Sequence, residues 1–225
     1  MLIPYKDNNP TASFPFVTIG IVVLNIVVFL YQIASPSGTE KIVFSYGAIP
    51  HYIITFDKVQ PIHPVLTIFS AMFMHGGVFH LAGNMLYLWI FGDNIEDQLG
   101  HLRFIIFYIF CGIVAAFAQV ITSPDSFTPM IGASGAISGV LGAYLLLFPR
   151  ALVHTLIFLV FFVTVVKIPA LIVIGFWAII QFISGVTSTG FAREGGVAWF
   201  AHIGGFITGL LTIKLWLPRR SKQWL

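Results

Sequence analysis

The sequence predicts an all-α polytopic membrane protein, a bundle of six transmembrane helices, and three observations carry that prediction. Of 225 residues 58% are hydrophobic and only 8% charged, with a mean hydropathy of +0.96, a composition that the surface of a water-soluble domain would not tolerate. The apolar residues fall into separate runs that approach the ~20 residues a helix needs to cross a bilayer. Alternate runs also carry Gly, Ser, His and Asn, which lipid-facing helices avoid and bundle interiors use.

The runs are 16–34, 78–95, 102–121, 132–148, 168–186 and 198–217. The first follows MLIPYKDNNPTASFPF, which lacks the Arg-rich character of a transit peptide, and no A-x-A-like cleavage site follows it, so it is expected to remain in the protein. The stretch 35–67 is the one long connection. The second, fourth and sixth runs hold the polar residues and are expected in the interior. Between the fourth and fifth lies ALVHTLIFLVFFVTVV, 151–166, which is apolar but short, β-branched and set between Pro149 and Pro169. It predicts an interfacial or hairpin segment; as a seventh span it would put the termini on opposite sides. Together 1–225 read as one membrane domain without internal repeats.

Charge sets the orientation. With six spans and a cytoplasmic N-terminus, Lys6, Arg103, Arg150, Lys167, Lys214, Arg219, Arg220 and Lys222 fall inside, and Lys41, Lys58 and Arg193 outside. Eight against three obeys the positive-inside rule. The expected location is the plasma membrane of a prokaryote, multi-pass, with both termini cytoplasmic. The excess of 11 Lys+Arg over 8 Asp+Glu fits this orientation and gives no nucleic-acid footprint. The single cysteine, Cys111, excludes an intrachain disulfide and a cysteine metal site and reads as a packed small residue. No metal or other cofactor is expected.

In that orientation the second, fourth and sixth helices begin at the outer surface, so residues two to six positions into each share a depth of roughly 3–9 Å at 1.5 Å rise per residue. At that level stand His80 and Asn84, Ser134, and His202. A serine hydroxyl becomes a useful nucleophile when a base within hydrogen-bond reach takes its proton, and imidazole suits that task near neutral pH. Ser134 is the candidate nucleophile and His202 the candidate base. Every Asp and Glu falls in a loop or at a helix end, so a dyad rather than a triad is expected. His80 and Asn84, at i and i+4 on one face, are candidate donors to the oxyanion beside the Ser134 backbone N–H.

Glycines allow the necessary approach. Gly135 with Gly139 and Gly205 with Gly209 form small-xxx-small patterns on the fourth and sixth helices, and His202, Gly205 and Gly209 share a face. Gly132 leaves room beside the helix start, where free N–H groups face an anion. Ser138 and Ser184 read as hydroxyls bonded back to the carbonyl four residues earlier or used as glue between helices. His75 reads as a structural tie between the long connection and the second helix, and His51, His63, His101 and His154 as loop or interface residues.

With HLAGN at 80–84, GASGAISG at 132–139 and AHIGGFITG at 201–209, the chain resembles the rhomboid family of intramembrane serine proteases from its first helix to its last. The resemblance implies a rhomboid-like six-helix bundle, Ser134 as nucleophile, His202 as general base and His80 with Asn84 as oxyanion donors. It also implies transmembrane proteins as substrates, a 35–67 connection partly in the outer interface, and gating by the fifth helix and 190–196. Two positions depart from the family pattern. Ser138 stands where many relatives place an aromatic ring that stacks on the base, and the first outer connection, HPVLTIFSAMFMHGG, lacks a Trp-Arg pair.

Three rival classes are weighed against the protease. A catalytically silent relative that binds membrane proteins would usually have lost Ser134 or His202. An ion or proton transporter would want carboxylates across the midplane. An intramembrane zinc protease would want H-E-x-x-H, whereas Leu81 follows His80.

Overall fold

The computed structural model describes residues 2–159, 162–188 and 197–218; the expected gating segment 190–196 lies outside them, as do Arg219, Arg220 and Lys222. The chain runs through a strand β1 (Leu2–Asp7), a long helix α1 (Phe16–Ala34), and short helices α2 (Thr39–Tyr46) and α3 (Pro50–Thr55). A 3-10 turn (Pro64–Leu66) then leads into α4 (Thr67–Ala71), followed by long helices α5 (Val78–Leu99) and α6 (His101–Thr122). After the shorter α7 (Ser134–Leu147) come strands β2 (Leu152–Leu159) and β3 (Phe162–Pro169), then helices α8 (Ala170–Ser188) and α9 (Trp199–Trp216). The 35–67 connection is therefore built from short helices rather than open loop.

The core forms around α7. Its residues are buried without a break from Ala136 to Tyr144, because a helix that is apolar all round needs partners on every side. Helices α5, α6 and α9 surround it, α1 packs on α5, and α8 packs on α9. The outward faces of α1 and α8 expose Val27, Leu30, Phe176 and Phe182, a surface suited to hydrocarbon. Three helices, α1, α6 and α8, are each long and apolar enough to cross a membrane.

Helices α7 and α9 meet backbone to backbone. A Cβ added at Gly205 would run into the carbonyl oxygen of Gly135, and one at Gly209 into that of Gly139. Both small-residue pairs singled out in the sequence thus lie in a single helix–helix contact, where contact of main-chain atoms replaces interdigitating side chains.

A buried carboxylate and a glycine turn hold the other end of the bundle. The wholly buried carboxylate of Glu96 on α5 accepts from Val17 N at 2.9 Å, Thr18 N at 2.7 Å and Thr18 Oγ1 at 2.7 Å. It therefore satisfies first-turn donors of α1 that have no partner within that helix. His101 Nδ1 lies 2.6 Å from the same carboxylate. Only Gly100 separates α5 from α6, and its φ of +75° is the left-handed conformation a one-residue reversal demands.

The described residues are mostly helical, and the all-α expectation is corrected by a three-stranded antiparallel sheet in the order β1-β2-β3. The 151–166 stretch forms its hairpin, with Leu152 opposite Pro169 and Leu159 opposite Phe162. β-Branched residues favour a pleated surface, and the base of the hairpin is closed by Ala170 N on Ala151 O at 2.8 Å. β1 then pairs on β2 from Leu2–Ile157 to Asp7–Val153, with a shift between Pro4 and Lys6, as expected where proline has no N–H to donate. The expected 168–186 helix accordingly starts at Ala170, since Ile168 and Pro169 complete β3.

Candidate active site

Helix α7 begins at Ser134 itself, two residues later than the expected 132–148 run, because Gly132 has φ +123° and breaks the helical path. Gly132 N donates to Ala71 O at 2.9 Å, which ties the turn before the serine to α4. Ser134 is half-buried, and on its other side stands α9 with His202 on its first turn. The Ser134 Oγ lies 2.8 Å from His202 Nε2. Two residues 68 positions apart in sequence are thus at hydrogen-bond distance, as a nucleophile and its base must be.

A small cavity of about 40 Å³ opens beside the serine, lined by Gly132, Ser134, Gly135, Ala115, Ala198 and Ala201 among others. Glycine, alanine and serine line its serine side, and Ile68, Met72, Met130 and Ile131 complete the wall.

The two candidate oxyanion donors flank Gly132. A Cβ built on that glycine would stand 2.8 Å from His80 Nε2 and 3.5 Å from Asn84 Nδ2, so the absent side chain leaves a space bounded by both nitrogens. Asn84 is held from behind: its Nδ2 is 2.9 Å from His75 Nε2. Burial, and then the neighbouring His80, lowers the His75 imidazole to about 4, so it is neutral near pH 7 and its Nε2 accepts from the amide. The main chain of His75 is fixed in turn by Gln32 on α1, whose Oε1 accepts from His75 N at 3.0 Å and whose Nε2 donates to His75 O at 3.1 Å. His75 is therefore a structural tie, as expected, and its target is the asparagine side chain.

Around the histidine the structure supplies what position 138 does not. Ser138 Oγ donates back to Ser134 O at 2.6 Å, the helix back-bond expected of it. The Trp177 ring on α8 lies 6.1 Å from the His202 ring at an interplanar angle of 38°, and Trp199 meets it edge-on at 6.2 Å. Two aromatic rings from other positions thus border His202. Its second nitrogen is also engaged, with Gln181 Oε1 on α8 at 2.7 Å from His202 Nδ1. Neither Trp177 nor Gln181 was singled out in the sequence. The available signal was Gln181 itself, an amide within FWAIIQFISG, since a buried polar residue in an apolar span is costly unless partnered.

Comparison with known proteins follows the same residues. The model of the Rhomboid domain family matches residues 63–219. The chain is 30% identical over 141 residues to the rhomboid protease GluP of Bacillus subtilis (strain 168), covering 63% of this chain and 25% of that protein. It is 31% identical over 153 residues to the mitochondrial rhomboid protein 1 of Saccharomyces cerevisiae, covering 65% and 40%. Over 129 residues it is 30% identical to the human mitochondrial presenilin-associated rhomboid-like protein, covering 55% and 31%. The aligned part of each relative is thus well under half of its length.

Proposed function

Because this membrane protein belongs to the rhomboid family, we propose that it is an intramembrane serine endopeptidase that cleaves transmembrane helices of other proteins near their outer ends. The observation that carries the proposal is the 2.8 Å contact between Ser134 Oγ and His202 Nε2. In the reaction His202 Nε2 takes the hydroxyl proton as Ser134 Oγ attacks the scissile carbonyl carbon. The resulting oxyanion is received by the Ser134 backbone N–H, His80 Nε2 and Asn84 Nδ2. His202 then returns the proton to the leaving amine, and water, activated by the same imidazole, releases the acyl group.

The setting proposed for this chemistry is a single domain of six spans with both termini cytoplasmic, in the plasma membrane of a prokaryote. Helix α7 has 14 residues, about 21 Å at 1.5 Å rise per residue, against a hydrocarbon core ~30 Å thick. Ser134 at its start would then lie below the outer interface, at the floor of a depression that admits water. A substrate helix keeps its carbonyls bonded internally, so it must unwind to present one. The cavity beside Ser134, about 40 Å³, suits a small side chain next to the scissile bond.

A fluorophosphonate reacts with an activated serine and spares ordinary hydroxyls. The full chain in detergent is expected to be labelled at Ser134 alone, with labelling lost in His202→Ala and falling at low pH as the imidazole takes a proton. Labelling that survives His202→Ala would favour a silent, substrate-binding rhomboid.

A further inference from the structure

Helix α8 presents one face to the bundle. Its buried residues are Ala170, Ile174, Gln181 and Gly185, at spacings of four, seven and four that make one stripe, with Trp177 between them on the same side. The remaining surface is apolar and exposed, including Leu171, Phe176, Ile180 and Phe182. Gly185 lets α8 approach α9 closely, since a Cβ there would stand 3.0 Å from Ile203 Cδ1. Gln181, only 7% exposed, is therefore carried to a definite place in an otherwise greasy interface. Its Oε1 is 2.7 Å from His202 Nδ1.

The chemistry of that contact is specific. An amide oxygen only accepts, so it holds the imidazole in the tautomer that bears its proton on Nδ1. In that tautomer Nε2 has a free lone pair, and Nε2 is the atom 2.8 Å from Ser134 Oγ. The reverse tautomer would point an N–H at the hydroxyl and could not take its proton.

We propose that Gln181 is the positioning residue of the base, so that a residue of α8 completes the site that α7 and α9 begin. The inference rests on the Ser134–His202 dyad proposed above. Gln181 touches neither Ser134 nor any reacting atom and acts through His202. It takes the place a carboxylate holds in a serine triad, but as a neutral group it leaves the imidazolium less stabilised. Because Trp177 and Gln181 both sit on α8, a displacement of that helix would remove the ring and the hydrogen bond together.

The test compares the full chain with Gln181→Leu, which keeps the bulk and removes the acceptor, and Gln181→Glu, which keeps an acceptor and adds charge. Among the described residues the titratable group facing His202 from a neighbouring helix is His80 on α5, while α7 and α8 present the neutral Ser134 and Gln181. Rates of fluorophosphonate labelling at Ser134 are measured against pH, and 15N spectra of histidine-labelled protein in micelles report the tautomer of His202. The expected loss in Gln181→Leu is on the order of 10–100-fold, less than the ~10⁴ that follows when a triad is held in the wrong tautomer. Its acid limb moves to lower pH, whereas that of Gln181→Glu moves to higher pH because a carboxylate favours the imidazolium. The His202 spectrum is expected to show Nδ1–H in the unaltered chain and to lose that preference in Gln181→Leu. A merely structural role would shift neither limb in opposite directions nor the tautomer. Labelling rates and limbs that coincide in all three proteins would overturn the proposal. If the unaltered chain is not labelled, the dyad fails on its own, and a tautomer unchanged in Gln181→Leu would then overturn the role of Gln181 separately.

Discussion

At the scale of single residues, the site is a set of side chains each held by one further group. Ser134 is placed by the turn at Gly132, Asn84 by His75, and His202 by Gln181. Replacing Ser134 or His202 by alanine is expected to abolish cleavage of a single-span reporter substrate while the thermal transition stays in place, and a variant with near-normal turnover would remove that residue from the mechanism. Asn84→Ala should retain some activity, because the Ser134 N–H and His80 remain; loss of one oxyanion donor lowers kcat on the order of 10²-fold. An unchanged kcat in that variant would leave the amide only its hydrogen bond to His75. Ser134, His80, Asn84 and His202 could all be singled out in the sequence because each is a polar residue in an apolar helix. Gln181 has the same property, yet its partner stands 21 positions away on another helix, and nothing in the spacing of α8 points to it.

At the scale of elements, the decisive contact is the one between α7 and α9, where Gly205 and Gly209 face the carbonyls of Gly135 and Gly139. Gly209→Ala is expected to force the two helices apart at a cost of about 1–3 kcal/mol and to lower activity as well, since α9 carries His202. Equal stability and turnover in that variant would show the contact to be looser than it is here. Glu96 serves α1 in a comparable way, as the acceptor for three donors in its first turn. Glu96→Ala leaves those donors unsatisfied in a buried position and should destabilise the protein by about 3 kcal/mol, read as a shift of the unfolding midpoint in detergent. Glycine spacing in the sequence already indicated the first of these contacts. It could not indicate the second, because Glu96 and Thr18 are 78 residues apart.

At the scale of the whole molecule, the chain passes through a helical bundle that is tied off by a small sheet. The hairpin at 151–166 returns to the place it left, with Leu171 N on Pro149 O at 3.0 Å, as the proposed topology of six spans with both termini on one side requires. Reporter fusions at Leu225 and within 35–54 should therefore lie on opposite sides of the membrane, and a C-terminus found outside would contradict the proposed topology. The sheet is joined to the bundle by Asp7, which accepts from Tyr144 Oη. Burial raises the Asp7 carboxyl above its usual range. A carboxyl that holds its proton more tightly when folded stabilises the fold below its unfolded pKa, ~3.9, and that contribution is lost as pH rises through the folded value. Thermal unfolding should therefore become easier on raising the pH from about 4 toward neutrality, and Asp7→Asn should flatten that slope. The same slope in both proteins would assign the effect to another group.

Composition and periodicity alone reveal that this is a membrane protein, roughly where its apolar helices fall, and which serine and histidine are candidates for chemistry. Those features are legible because lipid imposes one rule on every residue it touches: apolar runs must be long, and polar residues within them need a reason. The packed chain adds that β1 pairs with the hairpin, that Trp177 and Trp199 border the histidine, and that Gln181 meets its second nitrogen. These depend on contacts between segments far apart in the chain, whose geometry is set by how closely glycine-bearing helices approach, and no local periodicity carries that distance.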